Sequence, residues 1–137
     1  MKQVLSIEQM KHLQELGLEL KETLLYWAII VDEKKRESTN YTKWILVKGK
    51  ELQTVEIQHW EFCPAYTLQD IIENLPCLIN IYTLTIQKTN KGWSVLYMEP
   101  YCRSVFKIEN SEEFIDATYN MMCWCIKNEY IKTKELK

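Results

Sequence analysis

The sequence predicts an α+β fold with a mainly antiparallel sheet of four to six strands and three helices, in the order α-β-β-(β)-α-β-β-(β)-α. Three segments carry apolar side chains at helical spacing, and each begins at a residue whose side chain can cap a helix. Short polar turns join the strand-like segments between them. This pattern favours hairpins over repeated βαβ units and therefore an antiparallel sheet.

The length and composition predict one globular domain spanning residues 1–137. The chain is 47% hydrophobic and 26% charged, and its net charge of −2 argues against a dedicated nucleic-acid or anionic-membrane binder. Its longest apolar run, residues 24–31, is far shorter than the roughly 20 residues that span a bilayer. Five cysteines without an export signal predict free thiols, and we expect a cytoplasmic protein with no membrane association.

The first helix is predicted over residues 7–16. Ser6 and Gln9 have the spacing of a capping box, and Gly17 follows the last apolar position, where a helix commonly ends. The apolar row is narrow, so this helix should cover an edge of the core.

The next segment predicts a hairpin. Residues 24–31 form a continuous apolar run that is typical of a strand buried on both faces, residues 32–40 a polar loop, and residues 41–47 the returning strand. An edge strand is predicted over residues 54–58. It is followed by an irregular aromatic approach to the second helix that contains His59, Trp60, Phe62 and Pro64.

The second helix begins at Thr67, which forms a capping box with Asp70, and ends before Pro76. Residues 78–88 are rich in β-branched side chains and predict one long strand. A turn at residues 89–92 places Gly92 where positive φ is needed, and residues 93–98 return as the hairpin partner. A last strand is predicted over residues 103–108.

The terminal helix is predicted over residues 110–128, with Asn110 as the N-cap and Glu113 completing a capping box. Its apolar stripe is wide, so we expect it to lie deep against a sheet or between a sheet and a partner. Trp124 belongs to this stripe. If it is buried, Trp124→Ala should cost about 3–5 kcal/mol.

Two stretches resemble small uncharacterised proteins of Bacteroides-type gut bacteria and of their prophages or mobile elements. They are PAYTLQDIIENLP at residues 64–76 and DATYNMMCWCIKNEY at residues 116–130. Together with the first helix, the similar part is about a third of the chain. The resemblance implies a phage or mobile-element context, and it implies no mechanism.

Catalytic motifs and metal-ligand spacings are absent from the sequence, so we expect no cofactor and no metal. Cys123 and Cys125, two residues apart on a helix, point in different directions and cannot share a metal ion. An alternative function, a small-ligand binding domain or an enzyme, would use a cleft near His59, Glu99 and Cys102. There, desolvation would raise the pKa of Glu99.

Five tryptophans and eight tyrosines give the chain more aromatic surface than a small core readily hides. We expect a non-enzymatic protein-interaction module, a monomer or homodimer, whose partner-binding residues are Trp60, Phe62, Tyr66 and Tyr101. The other interpretation is that these aromatic residues seal the ends of the sheet. A deep polar pocket would favour the ligand-binding alternative, and a shallow apolar patch would favour the interaction module.

Overall fold

Helices and antiparallel strands follow one another along the chain, whose computed structural model describes residues 2–21, 23–30, 44–49 and 60–132. The α+β class is confirmed. The helices are α1 (Ile7–Glu15), α2 (Leu68–Asn74) and α3 (Phe114–Lys127). The strands are β1 (Leu25–Ile30), β2 (Ile45–Lys48), β3 (Trp60–Pro64), β4 (Leu78–Ile79), β5 (Tyr82–Thr89), β6 (Gly92–Met98) and β7 (Val105–Ser111).

The strands of the described ranges form two antiparallel sheets rather than one. A three-stranded sheet has the order β2-β1-β3, and a four-stranded sheet has the order β4-β5-β6-β7. The neighbours in each sheet are antiparallel, as the hairpin pattern predicts. Residues 31–43, between β1 and β2 in the sequence, and residues 50–59, between β2 and β3, are not described. The predicted loop at 32–40 and the predicted edge strand at 54–58 therefore lie outside the described residues.

The first two helices begin as predicted. Ser6 with Gln9 caps α1, Thr67 with Asp70 caps α2, and both capping boxes are complete. Gly17 follows α1 with φ 99°, in the left-handed region that favours glycine.

The predicted start of the terminal helix is wrong. Asn110 belongs to β7, where its side chain accepts a hydrogen bond from the Ser94 hydroxyl. Glu113 occupies the N-cap position of α3 and makes no capping hydrogen bond. Pairing with β6 extends β7 to Ser111, and this tertiary contact outweighs the local capping signal.

One strand prediction and one prediction of an irregular segment are also wrong. Residues 78–88 are not one strand, because a two-residue loop of Asn80 and Ile81 separates β4 from β5. Asn80 takes φ 54°, which asparagine tolerates better than most residues. The segment predicted as an irregular aromatic approach is β3, which pairs with β1 and ends at Pro64, where the missing N–H is tolerated.

The wide apolar stripe of α3 is confirmed. This helix packs against β6 and β7 on one side and against α2 on another. Trp124 is half-buried at the margin of the stripe, whereas the helix buries Ile115, Ala117, Thr118, Met121, Met122, Cys123, Cys125 and Ile126. None of the helices in the described ranges is long and apolar enough to cross a bilayer.

Candidate interaction surface

The four predicted partner-binding residues lie on different elements. Tyr66 keeps only 2% of its surface exposed, and its hydroxyl accepts a hydrogen bond of 2.8 Å from the backbone N–H of Lys21. Trp60 and Phe62 are half-buried on one face of β3. Tyr101, at the tip of the β6–β7 loop, is 95% exposed. Tyr66 is therefore a core residue, whereas the Tyr101 ring is open to solvent.

The alternative cleft involves the same loop. The Glu99 carboxylate accepts hydrogen bonds from the backbone N–H groups of Tyr101, at 3.0 Å, and of Cys102. Hydrogen bonding from the Cys102 side chain, and then from the backbone N–H groups of Cys102 and Tyr101, holds the pKa of Glu99 below its usual value, opposite to the rise expected from desolvation. Glu99 thus serves as an ionised clamp for the loop. His59 lies outside the described residues.

Two open cavities lie elsewhere. A groove of about 310 Å³ between α1 and α3 is lined by His12, Glu109, Tyr119, Asn120, Cys123, Trp124 and Lys127. Burial raises the pKa values of Tyr119 and Cys123, so both side chains are neutral near pH 7 and neither is an activated nucleophile. The second, of about 250 Å³, is lined by Lys21, Tyr66, Asp70, Glu73 and Asn74.

The described ranges contain no group of three or more His, Cys, Asp or Glu side chains that could hold a metal ion.

An aromatic cluster, formed by Tyr82, Phe106, Trp124 and Tyr130, lies where the C-terminal end of α3 meets the four-stranded sheet. Phe106 is its centre. Its ring stacks on Tyr82 at 4.8 Å between centroids and meets the edges of Trp124 and Tyr130 at 5.7 and 6.3 Å. Phe106 and Tyr130 remain 40% and 38% exposed, so the cluster forms part of the surface.

A β-bulge places Phe106 in this cluster. Tyr97 pairs with Lys107 and Met98 pairs with Val105, so Phe106 is an extra residue in β7 without a partner in β6. A bulge reorients side chains relative to the regular alternation of a strand. It directs Phe106 towards Tyr82 and Trp124, and the ammonium of the next residue, Lys107, lies 5.7 Å from the Trp124 ring centre.

The outer edge of β7 is exposed next to the aromatic cluster. Within the described ranges β7 pairs with β6 alone. Val105 and Ile108 are 49% and 42% exposed, so apolar side chains follow an uncovered strand. We call residues Val105–Ser111 on this outer side the β7 edge.

The backbone groups that β7 presents outwards follow from the hairpin before it. The β5–β6 hairpin has a two-residue loop, and the pair that closes such a loop, Thr89 and Gly92, exchanges hydrogen bonds. Hydrogen-bonded and non-hydrogen-bonded pairs then alternate across the antiparallel sheet. Glu109 consequently bonds to β6, whereas the N–H and C=O groups of Ile108 and Asn110 project away from β6.

Lys107 and Glu109 give the β7 edge a charge pattern. They lie two residues apart on the side that faces α3, and their side chains form an ion pair of 3.2 Å. Both side chains are partly exposed, at 31% and 25%. The edge therefore combines apolar, cationic and anionic side chains within one short strand.

No protein-family model, curated protein or solved structure matches the chain. Sequence reasoning missed the aromatic cluster because periodicity does not reveal which strand is at an edge or where a bulge occurs. One feature of the sequence could have indicated this cluster. The predicted final strand has apolar residues on both of its faces, at Val105, Phe106 and Ile108.

Proposed function

We propose that this protein is a non-enzymatic protein-interaction module that binds a protein partner at the β7 edge and the aromatic cluster. An exposed strand offers a row of backbone donors and acceptors to another chain. Exposed aromatic rings beside it provide the large apolar contacts that dominate many interfaces. The partner adds a strand to β7 and packs side chains against Phe106.

The observation that carries this proposal is the outer edge of β7, which pairs with β6 alone among the described strands and has exposed apolar side chains on both faces. Single exposed apolar residues are ordinary on protein surfaces, whereas adjoining ones mark sites of association. Val105, Phe106 and Ile108 adjoin along one strand, and each is at least 40% exposed. Tyr101 lies in the loop that leads into this strand, so its exposed ring is at the end of the sheet where β7 begins.

The proposed setting is the cytoplasm of a bacterium, with the gene carried by a phage or mobile element. Support for the setting comes from the resemblance of residues 64–76 and 116–130 to proteins of Bacteroides-type bacteria and their prophages. The five free cysteines are consistent with a reducing compartment.

Chemistry at the alternative cleft is less favoured. Its carboxylate, Glu99, is already engaged by backbone N–H groups of its own loop. A general acid or base needs a carboxyl group that is free to exchange a proton with a substrate near neutral pH. The lowered pKa of Glu99 removes that capacity.

Site-specific photocrosslinking tests the proposal. A photoreactive phenylalanine analogue replaces Ile108 in one variant and Gln69, an exposed residue of α2, in the control. After irradiation of cells that carry the gene, we expect the variant at position 108 to form a discrete protein adduct and the control to form none. Absence of an adduct at position 108, or the same adduct at both positions, would contradict the proposal.

A further inference from the structure

We propose that the partner at the β7 edge is a second copy of this chain, joined by antiparallel pairing of β7 with β7 about a two-fold axis through Ile108. The proposal rests on the proposed function and names the partner of that surface. A two-fold axis perpendicular to the sheet joins the two four-stranded sheets into one continuous sheet and leaves both α3 helices on the same face.

The backbone pattern fits a two-fold axis at Ile108. Its N–H and C=O groups project away from β6, so two facing copies of Ile108 exchange a pair of hydrogen bonds. The neighbouring residues then form non-hydrogen-bonded pairs, in which the Cα atoms approach to about 4.5 Å and the side chains are close. In those pairs Lys107 faces Glu109 of the second copy, and Glu109 faces Lys107 of the second copy.

Charge complementarity selects this register. An axis at Lys107 would place two ammonium groups opposite each other, and an axis at Glu109 would do the same with two carboxylates. Like charges directly opposite across a strand pair are destabilising. The axis at Ile108 instead gives two symmetric lysine–glutamate pairs and places the two half-exposed Ile108 side chains in contact on the other face.

The bulge limits the length of the seam, by which we mean the paired stretch of the two β7 strands. Phe106 interrupts the regular strand next to Lys107, and bulges with charged side chains are devices that restrict edge pairing. The ladder is therefore short and centred on the segment of β7 that is complementary to itself. We expect a reversible dimer that depends on protein concentration, since a small interface gives modest affinity.

Sedimentation velocity and light scattering measure the dimer directly. The mass of the wild-type chain should rise from 16.5 kDa towards twice that value between low and high micromolar concentration. Lys107→Glu and Glu109→Lys should each weaken the dimer by about tenfold or more, because each puts two like-charged pairs in the seam. A circular dichroism spectrum equal to that of the wild type shows that each variant is folded.

Mixing the two single variants distinguishes two explanations of a weakened dimer, repulsion in the seam and loss of the ion pair within one chain. The Lys107→Glu chain carries carboxylates at both positions, 107 and 109, and the Glu109→Lys chain carries ammonium groups at both. In a mixed dimer every opposed pair is therefore again oppositely charged, and we expect the equimolar mixture to dimerise like the wild type although each variant alone is weakened. Repair of the ion pair within a chain cannot produce this result, because neither variant regains its own partner.

A wild-type chain that stays monomeric at high micromolar concentration overturns the proposal, as does a mixture that remains weak. If the chain is monomeric but position 108 crosslinks to a different protein, the second copy is wrong and the interaction module stands. If neither dimer nor adduct forms, both proposals fail.

Discussion

Tyr97 illustrates how one polar atom is accommodated in the core of this protein. The residue is completely buried, and its hydroxyl donates a 2.7 Å hydrogen bond to the carbonyl oxygen of Pro76, at the end of α2. Burial is the main reason that its pKa is raised, so the phenol stays neutral. The hydrogen bond links β6 to the segment that leads into β4.

Removing that hydroxyl tests the link. Tyr97→Phe should lower the free energy of unfolding by about 1–3 kcal/mol, because it leaves the partly buried carbonyl of Pro76 without its donor. Urea denaturation gives the value. The control, Tyr101→Phe at a 95% exposed position, should stay within about 0.5 kcal/mol of the wild type. Equal effects of the two substitutions would contradict this account of Tyr97.

Glu99 predicts a pH dependence of the β6–β7 loop. Because its pKa is lowered in the folded protein, its contribution is complete above the ordinary carboxyl range and is lost as the pH falls through the folded pKa. NMR spectra should therefore show the amide signals of Tyr101 and Cys102 titrating below the range of an exposed glutamate. Glu99→Gln should abolish that titration. A midpoint at or above the ordinary value would refute the clamp.

At the scale of elements, α3 places its most buried side chains in the middle of its stripe. Met121 is completely buried, whereas Trp124 contacts Phe106 and Tyr130 at the half-exposed margin. Met121→Ala should cost about 2–5 kcal/mol of stability. Trp124→Ala should cost less than the about 3–5 kcal/mol of a fully buried tryptophan. Denaturant melts at two protein concentrations measure both, and a larger loss for Trp124 would show that it belongs to the core.

Elements whose signals are local could be predicted from the sequence. Both capping boxes, the left-handed glycine after α1 and the turn at Gly92 depend on neighbouring residues, and all of them are present. Gly92 has φ 137°, and a Cβ atom there would lie 2.4 Å from the carbonyl oxygen of Ser111. The sequence predictions were wrong where pairing with a strand distant in sequence determines the local structure, as at Asn110 and in β3. Pairing in a sheet overrides local propensity because it satisfies backbone groups that capping or a loop would leave exposed.

At the scale of the whole molecule, the five cysteines differ in whether the core buries them. All are free, with Cys63, Cys123 and Cys125 buried and Cys77 and Cys102 exposed. Burial raises the pKa values of the three buried thiols, that of Cys125 to about 11. A thiol reagent near pH 8 should therefore modify two thiols rapidly and the other three only after denaturation. Rapid reaction of four or five thiols in the native protein would mean that the core is open.

The sequence predicted that exposed aromatic residues would form the proposed interaction surface, but it did not predict which residues these are. An excess of aromatic residues indicated a surface anchor, but Tyr66 of the predicted set is buried, and Phe106 was assigned simply to a strand. Neither the order of strands in a sheet nor the position of a bulge has a strong local signature, because both depend on pairing between distant residues. The open edge of β7 is thus a property of the assembled sheet.

Amide hydrogen exchange of β7 tests the central claim, an edge that is free to accept another strand, most directly. In dilute, monomeric protein the amides of Ile108 and Asn110 should exchange fast, while those of Lys107 and Glu109, bonded to β6, should exchange slowly. Occupation of the edge by a partner should then slow Ile108 and Asn110 and leave the other two unchanged. Slow exchange of Ile108 and Asn110 in the monomer would show that the chain covers its own edge, and would contradict the account.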